Sequence, residues 1–205
     1  DRKPDTTEPT LSEMTAAAID HLKGKQGYYL MVEAGRIDHG HHAGRAGYAL
    51  SEAQELSRAV ETALAKVDLK DTLVMVTADH SHVFTIAGYA TRGNPILGLS
   101  VGNDRRGEST GQPELAADGQ PYTTLGYMNG PGAVREMPRK APDVSDPRAM
   151  QQALVPTGDE GSIGETHGGE DVALFAAGAG SDGAHGVIEQ NKIFDIMMRA
   201  FGWKK

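Results

Sequence analysis

Residues 27–42, which read GYYLMVEAGRIDHGHH, are the stretch from which the fold is predicted. The run 27–33 is short, apolar and aromatic and then breaks into Ala-Gly, which is typical of a buried β-strand. Histidines and carboxylates follow it immediately. In open α/β sheets ligands collect beyond the carboxyl ends of strands, so these polar residues are candidates for a functional site.

Outward from this stretch, the sequence predicts alternating helices and strands. A capping-box spacing at 10–13 marks a helix that ends near Gly24, and apolar residues recurring every three or four positions predict a second helix over 48–66. Residues 71–77, DTLVMVT, resemble a buried strand. Strand, helix and strand in this order predict a βαβ unit with parallel strands.

From about Gly88 to Gly161, Gly, Pro, Asn and Asp interrupt the pattern, and regular periodicity returns with a strand at 171–177 and a helix at 189–201. We therefore expect an α/β protein with a three-layer α/β/α architecture. Its sheet should be mostly parallel with at least one antiparallel strand. Residues 1–98 and 161–205 should form one domain, with 99–160 inserted as a flap.

Composition excludes several classes of protein. The formal net charge of −8, without a dense Lys/Arg stripe, argues against a nucleic-acid partner. No apolar run approaches the roughly 20 residues of a membrane span. Because the chain has no cysteine, any metal must be held by His, Asp and Glu. The chain starts at Asp1 without Met, which we interpret as the edge of a longer protein.

Three clusters of His and carboxylate residues lie at strand ends. Asp38 and His42 follow the first predicted strand, the motif Thr77-Ala-Asp-His-Ser-His82 ends the next one, and Glu165-Thr-His167 precedes a third. If His167 joins the same site, the third strand must run antiparallel or its loop must fold back over the sheet. These ligands are too many for a single four-coordinate zinc ion. A pair of ions, as used in phosphoryl transfer, fits better.

These motifs resemble alkaline phosphatases, in that family's order, as does Arg92-Gly-Asn-Pro-Ile96; the resemblance covers roughly 27–98 and 161–201. It implies two Zn²⁺ ions and one Mg²⁺ ion. Their ligands would be Asp38, His42 and His167 for the first zinc, Asp79 and His80 for the second, and Glu33 for magnesium. His82 would hold the ligands in position without binding a metal itself. Arg36 is a further candidate for such a role, through pairing with Asp38 or phosphate, although an ion pair that stabilises the fold is the favoured interpretation. His39 and His41 are expected to be ordinary polar loop residues.

The resemblance also implies an activity. In that family a serine attacks the phosphate monoester substrate and the resulting phosphoserine is hydrolysed, in a homodimer that is periplasmic or extracellular. The nucleophilic Ser belongs to the family's N-terminal half, and no segment here matches it. We therefore expect no catalytic nucleophile in this chain, an inactive isolated chain, and an N-terminal portion as its partner. A related phosphodiesterase or sulfatase, or a non-catalytic metal-binding module, remains an alternative.

Overall fold

The structure is a computed structural model that describes residues 6–158 and 164–203. Its helices are α1 (Leu11–Leu22), α2 (Arg36–His42), α3 (Ala46–Lys66) and α4 (Lys192–Ala200). Its strands are β1 (Leu73–Thr77), β2 (Ser81–His82), β3 (Phe84–Ile86), β4 (Val101–Asn103), β5 (Ser109–Pro113), β6 (Leu125–Gly130), β7 (Ala153–Pro156), β8 (His167–Gly168) and β9 (Leu174–Gly178). Contacts between residues divide the chain into two compact units.

The first unit contains residues 34–54, 82–158 and 164–169. Its core comprises Ala46, Leu125, Tyr127, Ala133 and Ala153, with Leu50, Phe84 and Leu97 packed against them. Strand β6 lies between β3, which is antiparallel to it, and β7, which is parallel. The segment predicted as an inserted flap therefore supplies much of this core. Its status as a separate insertion stays a prediction.

The second unit contains residues 6–33, 55–81 and 170–203. Helix α1 begins with the predicted capping box, in which the Thr10 and Glu13 side chains each accept from the other residue's backbone N–H. Lys66 Nζ binds both carboxylate oxygens of Asp20, at 2.8 and 2.7 Å. Strands β1 and β9 pair antiparallel, with Leu73 opposite Gly178 and Thr77 opposite Leu174. The expectation of at least one antiparallel strand is thus confirmed.

Two expectations about the sheets are wrong. Residues 27–33 form no strand in the described part of the chain, and Tyr29 and Met31 are 62% and 66% exposed. An apolar run becomes a strand only when a neighbour accepts and donates its backbone hydrogen bonds, and the described partner of β1 is β9 instead. The pairings within the described residues are therefore mixed rather than mostly parallel, while the α/β class is correct.

Gly40, in the middle of α2, lets this helix lie close to α3. A Cβ at Gly40 would lie 2.7 Å from the backbone N of Ala49 and 2.9 Å from its Cα. Backbone atoms cannot rotate away as a side chain can. The glycine is therefore required by packing, although glycine is a poor helix former.

We predict that Gly40→Ala destabilises the protein by about 1–3 kcal/mol, because overpacking outweighs the gain of roughly 1 kcal/mol that alanine brings inside a helix. Urea unfolding measures the difference. Gly169→Ala is the matched control, since a Cβ at Gly169 meets no atom within 4 Å. Unchanged or increased stability of Gly40→Ala would contradict the close approach.

Asp118 and Arg139 form a bidentate ion pair on the surface of the first unit. Arg139 Nε lies 2.8 Å from Asp118 Oδ2 and Nη2 lies 2.9 Å from Oδ1. The hydrogen bond from Arg139 is the main cause that lowers the pKa of Asp118 to about 2. Because the folded-state pKa is depressed, the stabilisation is present above the ordinary value near 3.8 and is lost as the pH falls toward 2.

Arg139→Gln should therefore raise the pKa of Asp118 toward its ordinary value. An NMR titration of the aspartate side-chain carboxyl carbons measures this directly. Arg105→Gln, which changes an exposed arginine of the same unit, should leave the pKa of Asp118 where it is. A pKa near 2 that survives Arg139→Gln would show that another group holds the carboxylate charged.

Candidate metal centre

Helix α2 presents two of the predicted ligands on one side. Asp38 and His42 are four residues apart, so their side chains lie one turn above the other on the same helix face. His42 Nε2 lies 3.1 Å from Asp38 Oδ1. Arg36, in the first turn, donates from Nη1 to Tyr48 Oη at 3.2 Å. The predicted support of the ligands by Arg36 stays a prediction.

Two further histidines converge on the same carboxylate oxygen. His82, the last residue of β2, and His167, the first residue of β8, place their Nε2 atoms 3.1 and 3.4 Å from Asp38 Oδ1. The His167 and His42 Nε2 atoms are 3.1 Å apart. The backbone N of Val83 donates to Thr166 O at 3.3 Å, which holds the two segments side by side. The first unit therefore brings the predicted residues Asp38, His42, His82 and His167 together.

The hydrogen bonds of His42 decide which of its ring nitrogens is available to a metal. Nδ1 lies 2.6 Å from the backbone O of Glu165, which can only accept, so Nδ1 carries a proton. Nε2 is then the nitrogen with a lone pair in the neutral ring, and it faces the lone pairs of Asp38 Oδ1. Two acceptors this close require positive charge between them, from a second proton or from a metal ion.

The spacing of these atoms fits a zinc site. Ligands of a tetrahedral zinc ion with bonds of about 2.0–2.1 Å lie about 3.3 Å from one another. The three separations among Asp38 Oδ1, His42 Nε2 and His167 Nε2 are 3.1, 3.4 and 3.1 Å. Imidazole and carboxylate together are a donor set that zinc uses in proteins. Asp38, His42 and His167 could therefore hold one zinc ion.

Glu165 is a further residue of the site that the sequence motifs do not single out, since it precedes His167 only as part of Glu165-Thr-His167. Its side chain is 0% exposed. Oε2 lies 2.6 Å from His82 Nδ1, and Oε1 accepts from the backbone N of Val83 at 2.8 Å. Its position two residues before a predicted ligand was the available signal. Burial of this carboxylate is a tertiary property that spacing does not reveal.

His41 is also more than an ordinary polar loop residue, contrary to expectation. Its ring stacks on His82 with centroids 4.7 Å apart, and its Nδ1 lies 3.0 Å from Tyr127 Oη. Burial is the main cause that lowers the pKa of His41 to about 4. Burial likewise raises the pKa of Tyr127. Both groups are therefore neutral at pH 7, and His41 packs against the His82 ring.

The remaining predicted ligands belong to the second unit. Asp79 and His80 follow the last residue of β1, and His80 Nε2 lies 3.5 Å from Asp79 Oδ2. His80 Nδ1 lies 3.1 Å from the backbone O of Ser81, so its Nε2 also carries the lone pair in the neutral ring. Glu33 is exposed at the end of the irregular segment 27–33. Their roles as ligands of a second zinc ion and of magnesium stay predictions.

A protein-family model described as alkaline phosphatase matches residues 1–203. The chain belongs to the alkaline phosphatase family. Among curated alkaline phosphatases, the tissue-nonspecific isozyme of Gallus gallus is 48% identical over 200 residues, covering 95% of this chain and 35% of that protein. The corresponding isozyme of Homo sapiens is 44% identical over 201 residues, with the same coverage of 95% and 35%. The chain thus spans about a third of these alkaline phosphatases.

Solved structures support the fold assignment. A point mutant of the TAB5 alkaline phosphatase with Mg bound in its M3 site matches with a TM-score of 0.57 and 25% identity, over 95% of this chain and 42% of that one. The alkaline phosphatase from the Antarctic bacterium TAB5 matches with a TM-score of 0.57, 24% identity and coverage of 95% and 41%. The predicted family and the α/β, alkaline-phosphatase-like fold are therefore confirmed.

No helix among the described residues is long and apolar enough to cross a membrane.

Tyr127→Phe should destabilise the protein by about 0.5–1.5 kcal/mol, because it removes the hydroxyl that meets His41 Nδ1 and keeps the ring in the core. Urea unfolding measures the loss. Tyr89→Phe removes a hydroxyl from a tyrosine that is 93% exposed, so its effect should lie within experimental error. Equal stability of Tyr127→Phe and the wild type would show that this hydrogen bond does not support the histidine cluster.

Proposed function

We propose that this chain contributes the metal-binding part of a phosphomonoesterase, an alkaline phosphatase that uses two zinc ions and one magnesium ion. The observation that carries the proposal is the convergence of the His42, His82 and His167 imidazoles on Asp38 Oδ1, with His42 Nδ1 held by a backbone carbonyl. The relatives' name, alkaline phosphatase, supplies the class of reaction. A related phosphodiesterase or sulfatase would differ in its preferred substrate.

Asp38, His42 and His167 would hold the first zinc ion, Asp79 and His80 the second, and Glu33 the magnesium ion. When bound, the ions would supply Lewis-acid stabilisation of negative charge on the phosphoryl group and its leaving oxygen. The protein's own task is to keep the ligand atoms in place and in the correct protonation state. His82 lies between the two carboxylates, with Nδ1 2.6 Å from Glu165 Oε2 and Nε2 3.1 Å from Asp38 Oδ1.

The serine that attacks phosphorus would come from outside these 205 residues, consistent with the coverage of 35% of the chicken and human relatives. The complete enzyme would be a homodimer that acts in the periplasm or outside the cell. Both properties are proposed from the resemblance to the family. On this view the isolated chain binds zinc but does not hydrolyse phosphate monoesters.

A chimera tests the proposed activity. These 205 residues would replace the matched segment of the chicken relative, which supplies every other group. With zinc and magnesium present, we expect hydrolysis of p-nitrophenyl phosphate that greatly exceeds hydrolysis of the corresponding diester and sulfate ester. A preference for diester or sulfate ester would reject monoesterase activity. Robust turnover by the isolated chain would reject a nucleophile outside it.

Asp38→Asn should weaken zinc binding by more than about 100-fold, because it removes a charged ligand. Loss of a residue that only hydrogen-bonds to a ligand already lowers metal affinity about 10–100-fold. Competition with a chromophoric chelator measures the affinity of the full chain. Asp143→Asn is the matched control, because Asp143 is exposed and accepts only from Ser145 among the described contacts. Equal zinc affinity of Asp38→Asn and Asp143→Asn would contradict the assignment of Asp38 as a ligand.

A further inference from the structure

The Glu165 side chain is the buried anchor of the histidine cluster. It is 0% exposed, and both of its oxygens accept hydrogen bonds: Oε2 from His82 Nδ1 at 2.6 Å and Oε1 from Val83 N at 2.8 Å. A carboxylate removed from water is tolerated when donors satisfy it in this way. Neither donor is itself one of the ligands assigned to zinc. The carboxylate therefore acts on the centre through another residue.

The action of Glu165 on His82 follows from its chemistry. A carboxylate offers only acceptors, so the nitrogen that faces it, His82 Nδ1, must carry a proton. This contact aims Nε2 of the same ring at Asp38 Oδ1, 3.1 Å away. The His82 side chain is 8% exposed and stacks on His41, so the ring has little room to turn. Glu165 thereby sets both the direction of the ring and the nitrogen that bears the proton.

The main chain of Glu165 acts on a second histidine. Its backbone O accepts from His42 Nδ1 at 2.6 Å, and its backbone N donates to His42 O at 3.2 Å. The residue is thus tied to the end of α2 in both directions. The carboxylate Oε2 is also 3.7 Å from His42 Nδ1. A side-chain substitution at this position changes the contacts of the carboxylate and leaves the backbone hydrogen bond with His42, because a carbonyl is present in every residue.

We infer that Glu165 is a positioning residue of the metal centre, which fixes the proton on Nδ1 of His82 with its carboxylate and on Nδ1 of His42 with its carbonyl. Both Nε2 atoms then face Asp38. The consequence for zinc affinity rests on the proposed function, whereas the protonation pattern of the two rings does not. Outer partners that orient ligands in this way typically contribute 10–100-fold in metal affinity.

Glu165→Gln separates the role of the carboxylate, which contacts His82, from the role of the backbone carbonyl, which contacts His42. In the amide one carboxylate oxygen becomes an NH₂ group, which only donates, so the two positions that accept from Val83 N and His82 Nδ1 cannot both accept. With the amide oxygen on Val83 N, the NH₂ group faces His82 and Nδ1 of that ring must become an acceptor. Two-dimensional ¹H–¹⁵N NMR of the metal-free full chain reports the state of each ring nitrogen. We expect His82 Nδ1 to change from protonated to unprotonated, while His42 Nδ1 stays protonated.

Glu114→Gln is the matched control. Glu114 belongs to the same unit and accepts from Tyr122 Oη, with no histidine among its described contacts. Glu114→Gln should leave the protonation of the His42 and His82 ring nitrogens unchanged and should change zinc affinity by less than about 2-fold. Glu165→Gln should weaken zinc binding about 10–100-fold. An unchanged His82 ring or an unchanged affinity in Glu165→Gln would overturn the inference.

The wild-type spectrum keeps the inference testable if Glu165→Gln does not fold. Wild-type His82 with an unprotonated Nδ1 would overturn the role of the carboxylate directly, and a protonated Nδ1 would support it. Failure of the wild-type chain to bind zinc would instead reject the proposed function. That failure would leave the ring assignments intact, so the two failures are distinguishable.

Discussion

The histidine cluster depends on one constraint: the Nδ1 atoms of His42 and His82 face groups that can only accept hydrogen bonds. The backbone O and the carboxylate of Glu165 provide these acceptors at 2.6 Å each. An acceptor determines which ring nitrogen carries the proton and how the ring is turned. The Nε2 atoms of both histidines are therefore directed at Asp38 by these hydrogen bonds. The histidine cluster is therefore organised by the protein's own hydrogen bonds.

Small residues allow this arrangement to form. Gly40 lies between Asp38 and His42 in sequence, and its missing side chain lets α2 approach the backbone of Ala49. Ala46 at the start of α3 joins the core with Leu125 and Tyr127. Tyr127 in turn reaches His41, whose ring stacks on His82. Tyr127 therefore both packs in the core and, through His41, helps to orient the His82 ring.

Much of the candidate site could be predicted from sequence, because ligand spacing is a local property. Asp38 and His42 share a helix face by virtue of their separation of four residues, and the Glu-Thr-His motif places His167 at the start of a strand. Glu165 and His41 could not be assigned in this way. Their importance comes from burial and from partners more than 80 residues away, such as His82 for Glu165 and Tyr127 for His41.

The sheet was harder to predict for a related reason. The apolar run 27–33 has the composition of a strand, but a strand also needs a neighbour, and the described structure gives β1 its partner in β9. Composition indicates which segments can extend and does not indicate which segments will pair. The position of His167 before β9 predicted either an antiparallel strand or a loop that folds back over the sheet, and sequence alone did not decide between them.

X-ray absorption spectroscopy of the full chain loaded with one equivalent of zinc tests most directly whether Asp38, His42 and His167 form a metal site. The expected spectrum shows nitrogen and oxygen ligands at about 2.0–2.1 Å, with the multiple-scattering signature of imidazole rings. That signature should weaken in His42→Ala. A zinc shell without imidazole, or one that His42→Ala leaves unchanged, would contradict the site.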